Sequence, residues 1–144
     1  MYGSPECRRR VDCLVGLRES YGLDFRRFVP VEIGRRYEVL DKGTADLSIL
    51  FTTDAQLFVT DNYVILEDDR DVLPAGNVLF VARQRTADEA GPDFSKVVRS
   101  VQEELTLEVM QELNARVDID KLRPAQVARL YLEEFGYIRA SGAR

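Results

Sequence analysis

The hydrophobic and polar positions change rhythm a little past the middle of the chain. From Val11 to Tyr21 apolar residues recur at helical spacing, and Gly22 stands where a left-handed residue would close the helix. Phe25 to Ile33 mixes β-branched and aromatic residues in loose alternation, which predicts a strand, and Arg35 to Leu40 predicts a short helix closed by Lys42-Gly43. Ala45 to Phe51 reads as a mostly apolar strand. Thr52-Thr53-Asp54 follows directly and supplies capping side chains for a helix through Gln56-Leu57-Phe58-Val59. Tyr63 to Leu66 and Val78 to Ala82 predict two further strands. Between them lie the charged run Glu67-Asp68-Asp69-Arg70-Asp71, read as a solvated turn, and the breaker Pro74-Ala75-Gly76-Asn77.

Beyond a turn-rich stretch from Thr86 to Pro92 the pattern is helical throughout, with segments predicted over Asp93 to Leu105, Thr106 to Val117 and Pro124 to Phe135. Thr106 is a natural cap, and Pro124 sits at a tolerated first-turn position. On the last segment Val127, Leu130, Tyr131 and Glu134 trace one helical row, and Gly136 ends it. A composition boundary near Arg83 therefore divides residues 5–82, an α/β part, from residues 83–144, a helical part that needs a surface to cover.

Composition narrows the chemistry. The 144 residues hold 25 Asp plus Glu against 20 Lys plus Arg, for a net charge of -5, so the basic footprint that nucleic acid requires is missing. The absence of His and Trp removes Ser-His-Asp and Cys-His catalysis and every His-containing zinc site. No run approaches the roughly 20 apolar residues of a membrane helix, and Met1 is followed by Tyr-Gly-Ser-Pro-Glu instead of a secretory leader, which predicts a soluble chain. The nine glycines form neither a dinucleotide fingerprint nor a P-loop, so no nucleotide cofactor is expected.

Asp54 with Glu67-Asp68-Asp69 is the best candidate for paired carboxylates or a hard-cation site, but it lacks the spaced ligands of an EF-hand, nothing in the sequence pairs a nucleophile with a base, and no enzyme is expected. Arg8-Arg9-Arg10 is an exposed turn or, in a functional reading, offers a guanidinium to clamp a carboxylate. Cys7 and Cys13 are either free thiols or one small loop closure.

Taken in order along nearly the whole chain, these pieces resemble the glycine betaine, choline and carnitine class of osmoprotectant substrate-binding proteins of ABC transporters. The residues that carry the resemblance are Pro5-Glu6-Cys7, Arg10, Asp12, Gly16-Leu17, Tyr21-Gly22-Leu23, Tyr37-Glu38-x-Leu40 with Gly43, and Asp46 through Phe51-Thr52-Thr53-Asp54. They continue with Leu66-Glu67-Asp68-Asp69, Leu73-Pro74, Met110-x-x-Leu113-Asn114, and Val127-Ala128 to Leu132 and Gly136.

The resemblance implies a type II periplasmic-binding-protein-like lobe, with a central β-sheet flanked by helices, followed by C-terminal helices that finish the other lobe. Tyr2 to Glu6 would match the crossing into lobe two and Val78 to Gln84 the crossing back; the N-terminal portion of lobe one is absent from this chain. It also implies a small quaternary-ammonium ligand held by aromatic faces, which attract a cation that has no hydrogen bond to donate, and by donors to its carboxylate. An ABC permease would be the partner. Ligand contacts would fall to Arg10, Phe51, Thr52, Asp54, Gly76 and Asn77. Phe51 replaces a tyrosine and keeps the π face, whereas Gly76 stands where another cage tyrosine is expected and removes that wall.

An extracytoplasmic setting follows from the resemblance, and it would allow a Cys7–Cys13 disulfide, with a free-thiol pair as the alternative. Terminal helices lacking the rest of lobe one would expose apolar faces and favour a homodimer. The competing reading is an interaction or regulatory module that reuses the lobe and binds no small ligand.

Overall fold

A computed structural model describes residues 1–140 of the chain. It is a mixed α/β structure with a small parallel sheet and seven α-helices among the described residues. The chain divides into two compact units: Met1–Phe51 with Val64–Asn77, and Thr52–Tyr63 with the residues from Val78 onward.

In the first unit, β1 (Tyr2–Gly3) is the centre of the sheet. It pairs in parallel with β2 (Val29–Pro30), with Tyr2 beside Val29 and Gly3 beside Pro30. On its other side the Tyr2 N–H donates to the Leu47 carbonyl at 2.9 Å, and the Tyr2 carbonyl accepts from the Ile49 N–H at 3.1 Å. A 3-10 turn (Pro5–Arg9) leads to α1 (Leu14–Tyr21), and the Cys7–Cys13 disulfide, with Cα atoms 5.1 Å apart, joins the turn to the start of the helix. Gly22, at φ +67°, closes α1: its N–H reaches the Arg18 carbonyl and the Leu23 N–H reaches that of Leu17, as in a left-handed helix cap. A second 3-10 turn (Ile33–Arg35) opens α2 (Arg36–Asp41), whose buried face is Arg36, Tyr37 and Val39.

In the second unit, α3 (Ala55–Val59) packs on α6 (Leu107–Asp118), with Ala55 fully buried. Thr106 caps α6 by accepting the Val109 N–H at 3.3 Å. α7 (Pro124–Glu134) begins on its proline and buries Val127 and Tyr131 from the expected row, while Leu130 stays partly exposed. The Tyr131 hydroxyl donates to the Val101 carbonyl at 2.6 Å, and the Tyr137 hydroxyl donates to that of Ser100 at 2.6 Å, tying this end of the chain to α5 (Asp93–Glu103).

Several expected elements differ. The strand over Phe25 to Ile33 shrinks to two residues, and the one over Ala45 to Phe51 contributes a single bridge, Ser48 beside Tyr2. Tyr63 to Leu66 and Val78 to Ala82 form no ladder among the described residues; Val64 is 85% exposed and Val81 91%. Apolar content had suggested these strands, but a strand exists only where a neighbouring backbone pairs with it, and a sequence pattern does not supply that neighbour. The stretch from Thr86 to Pro92 is mostly α4 (Gln84–Ala90), ended by Gly91 at φ +85°. It buries no residue and is braced locally by Gln84 donating to Asp88 and Arg85 to Glu89, pairs four apart that a search for turn residues overlooks.

Candidate functional site

Arg10 lies inside the loop closed by the disulfide and is exposed. Its Nε donates to Asp12 Oδ1 at 2.6 Å and its Nη2 to Asp12 Oδ2, a bidentate ion pair two residues apart. The hydrogen bond lowers the Asp12 carboxyl below the ordinary range and raises the Arg10 guanidinium. The clamp expected for a ligand carboxylate is thus already held by a carboxylate of the same loop. A ligand would have to compete with Asp12 or share the guanidinium with it.

Phe51 ends the 45–51 segment with 55% of its surface exposed. The Arg36 guanidinium of α2 stacks over its ring, Cζ 4.6 Å from the centroid, and Arg36 itself is buried, 7% exposed. Thr52 and Asp54 stand at the start of α3. Asp54 occupies the N-cap position with extended backbone, and its carbonyl accepts the Leu57 N–H at 3.1 Å. The carbonyls of Thr52 and Thr53 accept from Gln111 Nε2 at 2.6 Å and Asn114 Nδ2 at 2.8 Å, so α6 fixes the backbone of the Thr-Thr-Asp segment. Gly76 and Asn77 are exposed, and a side chain at Gly76 would meet nothing within 4 Å.

The structure therefore places Arg10 with Asp12, Phe51 with Arg36, and Thr52 and Thr53 against α6. A concavity of about 100 Å³, lined mainly by α1 and the 23–28 loop, and one of about 330 Å³ along α5 include none of the expected ligand residues.

Part of the acidic run acts within the fold. The Tyr21 hydroxyl donates to Asp68 Oδ1 at 2.5 Å and accepts the Arg70 N–H at 2.9 Å, while Asp68 Oδ2 accepts the Leu73 N–H at 2.6 Å. Arg70 completes the clasp by donating to the Ser20 carbonyl and lying over the Tyr21 ring, 5.1 Å from its centroid. Tyr21 is pushed up to about 12, first by burial and then by Asp68; Asp68 is held low chiefly by the Tyr21 hydroxyl and next by the Leu73 N–H.

A carboxyl held low in the folded state contributes stability above its unfolded value of roughly 3.9, and that contribution disappears as pH falls through the folded value. Tyr21→Phe should therefore lower the urea midpoint most near neutral pH, and the gap from the unaltered protein should narrow below about pH 4. A gap of constant size across that range would show that the Tyr21–Asp68 bond does not couple to stability.

Sequence reasoning gave no role to Arg36 or Gln111, and named Asn114 only among the residues that carry the resemblance, without the contact it makes. Gln111 and Asn114 are three apart and so share a helix face, a spacing that was legible but had no visible target. Arg36 carried no such signal, because its burial depends on how α2 meets the 45–51 segment.

The described residues build a small parallel sheet with flanking helices. Residues 3–134 match the family described as the substrate-binding domain of the ABC-type glycine betaine transport system, and the chain belongs to it. It is 33% identical over 132 residues to the glycine-betaine-binding protein of Pseudomonas aeruginosa (strain PAO1), spanning 90% of this chain and 42% of that protein. It is also 30% identical over 127 residues to the ergothioneine transport permease/ergothioneine binding protein EgtU of Helicobacter pylori (strain G27), spanning 88% of this chain and 23% of that protein. The crystal structure of a glycine betaine/carnitine/choline ABC transporter protein superposes with a TM-score of 0.75 at 23% identity, over 94% of this chain and 49% of that one, a likeness of fold alone. The chain thus spans about half the length, or less, of these relatives.

Proposed function

We propose that this chain is the second lobe and C-terminal helices of the solute-binding component of an ABC importer for quaternary-ammonium osmoprotectants such as glycine betaine, choline or carnitine. The family match over residues 3–134 carries this reading. Residues 5–82 form the ligand-binding lobe and residues 83–144 the helical end of the other. The protein works on the extracytoplasmic side with its permease, and the described residues contain no helix long and apolar enough to cross a membrane.

The ligand is touched by Arg10, Phe51, Thr52, Asp54 and Asn77, with Gly76 leaving room where an aromatic wall would stand. Phe51 offers a π face to the ammonium group, and Arg10 offers its guanidinium to a carboxylate. Isothermal titration with glycine betaine, choline and carnitine should give saturable heat with at least one of them. Phe51→Ala and Arg10→Ala should each weaken a betaine about tenfold or more, the scale of one lost cation–π or charge-assisted contact. Asp12→Asn should strengthen it by freeing Arg10. Heat with none of the three ligands, or affinity indifferent to both alanine variants, would defeat the reading.

Exposed apolar residues on the terminal helices, Val97, Leu107 and Leu130 among them, further support a homodimer of this chain. Sedimentation should then give a concentration-dependent dimer, and a single monomeric boundary at all concentrations would rule it out.

A further inference from the structure

Residues 8–27 hold six arginines against three carboxylates, in a chain whose net charge is -5. Two of the six are engaged. Arg10 pairs with Asp12, and Arg8 donates from Nη2 to the Phe28 carbonyl at 3.2 Å while its Cζ lies 5.5 Å from the centroid of that ring. Arg9, Arg18, Arg26 and Arg27 are exposed, and among the described residues their guanidinium groups enter no ion pair or hydrogen bond. The 3-10 turn, α1 and the 23–28 loop, all parts of the first unit, thus each carry at least one unpaired arginine.

These same three segments bound the concavity of about 100 Å³. Leu14 and Val15 of α1 and Leu23 and Phe25 of the loop line it, with Arg18 and Asp24 beside them. It is smaller than the roughly 300 Å³ at which small-molecule pockets begin, and it suits a single aliphatic side chain. An apolar hole among unpaired arginines matches a polypeptide that offers one aliphatic residue between acids: the anchor leaves water while its neighbours' carboxylates meet guanidinium groups. Arginine fits this use better than lysine, because it is less strongly hydrated and can hold a carboxylate through two hydrogen bonds.

We propose that this face of the first unit docks an acidic segment of a protein partner, with one aliphatic side chain in the concavity and flanking carboxylates on Arg18 and the neighbouring arginines. Asp24 opposes such a segment in charge and limits its affinity. The surface shares no residue with the ligand contacts proposed above, so the two stand or fall separately.

The test is isothermal titration of the full chain with a blocked pentapeptide, one leucine between two pairs of glutamates. It should bind saturably, with an affinity that falls as salt is raised. The same peptide with alanine for leucine should bind about tenfold or more weakly, and one with lysines for the glutamates should not bind. Arg18→Glu and Arg26→Glu should each weaken the acidic peptide about fivefold, whereas Asp24→Asn should strengthen it about twofold or more. A gain of affinity is not what a damaged fold produces, and circular dichroism checks the two charge reversals.

Absence of saturable heat with the acidic peptide overturns the proposal. So does an alanine peptide that binds as well as the leucine one, because charge alone would then account for the binding, and so does indifference to both charge reversals. Vesicles of phosphatidylcholine with phosphatidylglycerol form the last arm. If the chain sediments with them through Arg18 and ignores the peptide, the face is a lipid contact and the proposal fails.

Discussion

Gly16→Ala is expected to lower the urea midpoint of unfolding by about 1–2 M, from a loss of about 3 kcal/mol and an ordinary denaturant slope for a small protein. Gly16 sits in the first turns of α1, where a methyl group would lie 2.0 Å from the Val11 carbonyl oxygen and 2.7 Å from Val72 Cγ1. The Val11 contact is with backbone, so no rotamer change relieves it, and the loop entering α1 would have to move. That loop carries the Arg10–Asp12 pair and the disulfide, while Val72 belongs to the turn clasped by Tyr21 and Asp68. In an open helix the same change would stabilise by about 1 kcal/mol, because alanine is the better helix former. The two effects have opposite signs. A midpoint at or above that of the unaltered protein would mean that α1 does not pack on the 67–73 turn as described.

Replacing both cysteines, Cys7→Ala with Cys13→Ala, should cost about 2 kcal/mol, the loop-closure contribution of a bridge this short. The bridge spans a sequence separation of 6, and both residues are buried, Cys7 to 2% exposure. Its main work is local: it holds the 3-10 turn against the N-cap residue of α1 and so fixes both ends of the segment that carries Arg10. The double variant should therefore melt earlier, and the unaltered protein denatured under a strong thiol reductant should fall to the same midpoint. If the reductant had no effect while the double variant remained destabilised, the cost would come from lost packing of the sulfurs rather than from the bond.

The sequence made the helices of this protein legible, α4 excepted, and left most of its strands undetermined. Helix boundaries rest on signals within a few residues of each other: Gly22 past α1, Gly43 past α2, Thr106 before α6, Pro124 opening α7 and Gly136 past it. Each of these acts through its own backbone or side chain, so a linear reading finds them. Strand pairing depends on a second segment far away in the chain, which is why Tyr63 to Leu66 and Val78 to Ala82 were apolar enough to suggest strands and yet form no ladder among the described residues. The sheet that forms among the described residues is centred on Tyr2–Gly3, a dipeptide with no strand pattern of its own.

The candidate site divides along the same line. Sequence alone supplied the residue types: an arginine for a carboxylate, an aromatic ring at the end of an apolar segment, and hydroxyls and a carboxylate at a helix start. It also supplied, through ordered motifs spread over nearly the whole length, the family to which residues 3–134 belong. Only the tertiary structure decided what each side chain does with its neighbours. It paired Arg10 with Asp12, laid Arg36 over Phe51, spent Asp68 on Tyr21 and Leu73, and set Gln111 and Asn114 against the backbone of Thr52 and Thr53. Apart from Arg10 and Asp12, these contacts join residues from 5 to 61 positions apart in sequence. Charge and hydrogen bonding act over a few ångströms of space, and the distances that govern them are set by the fold.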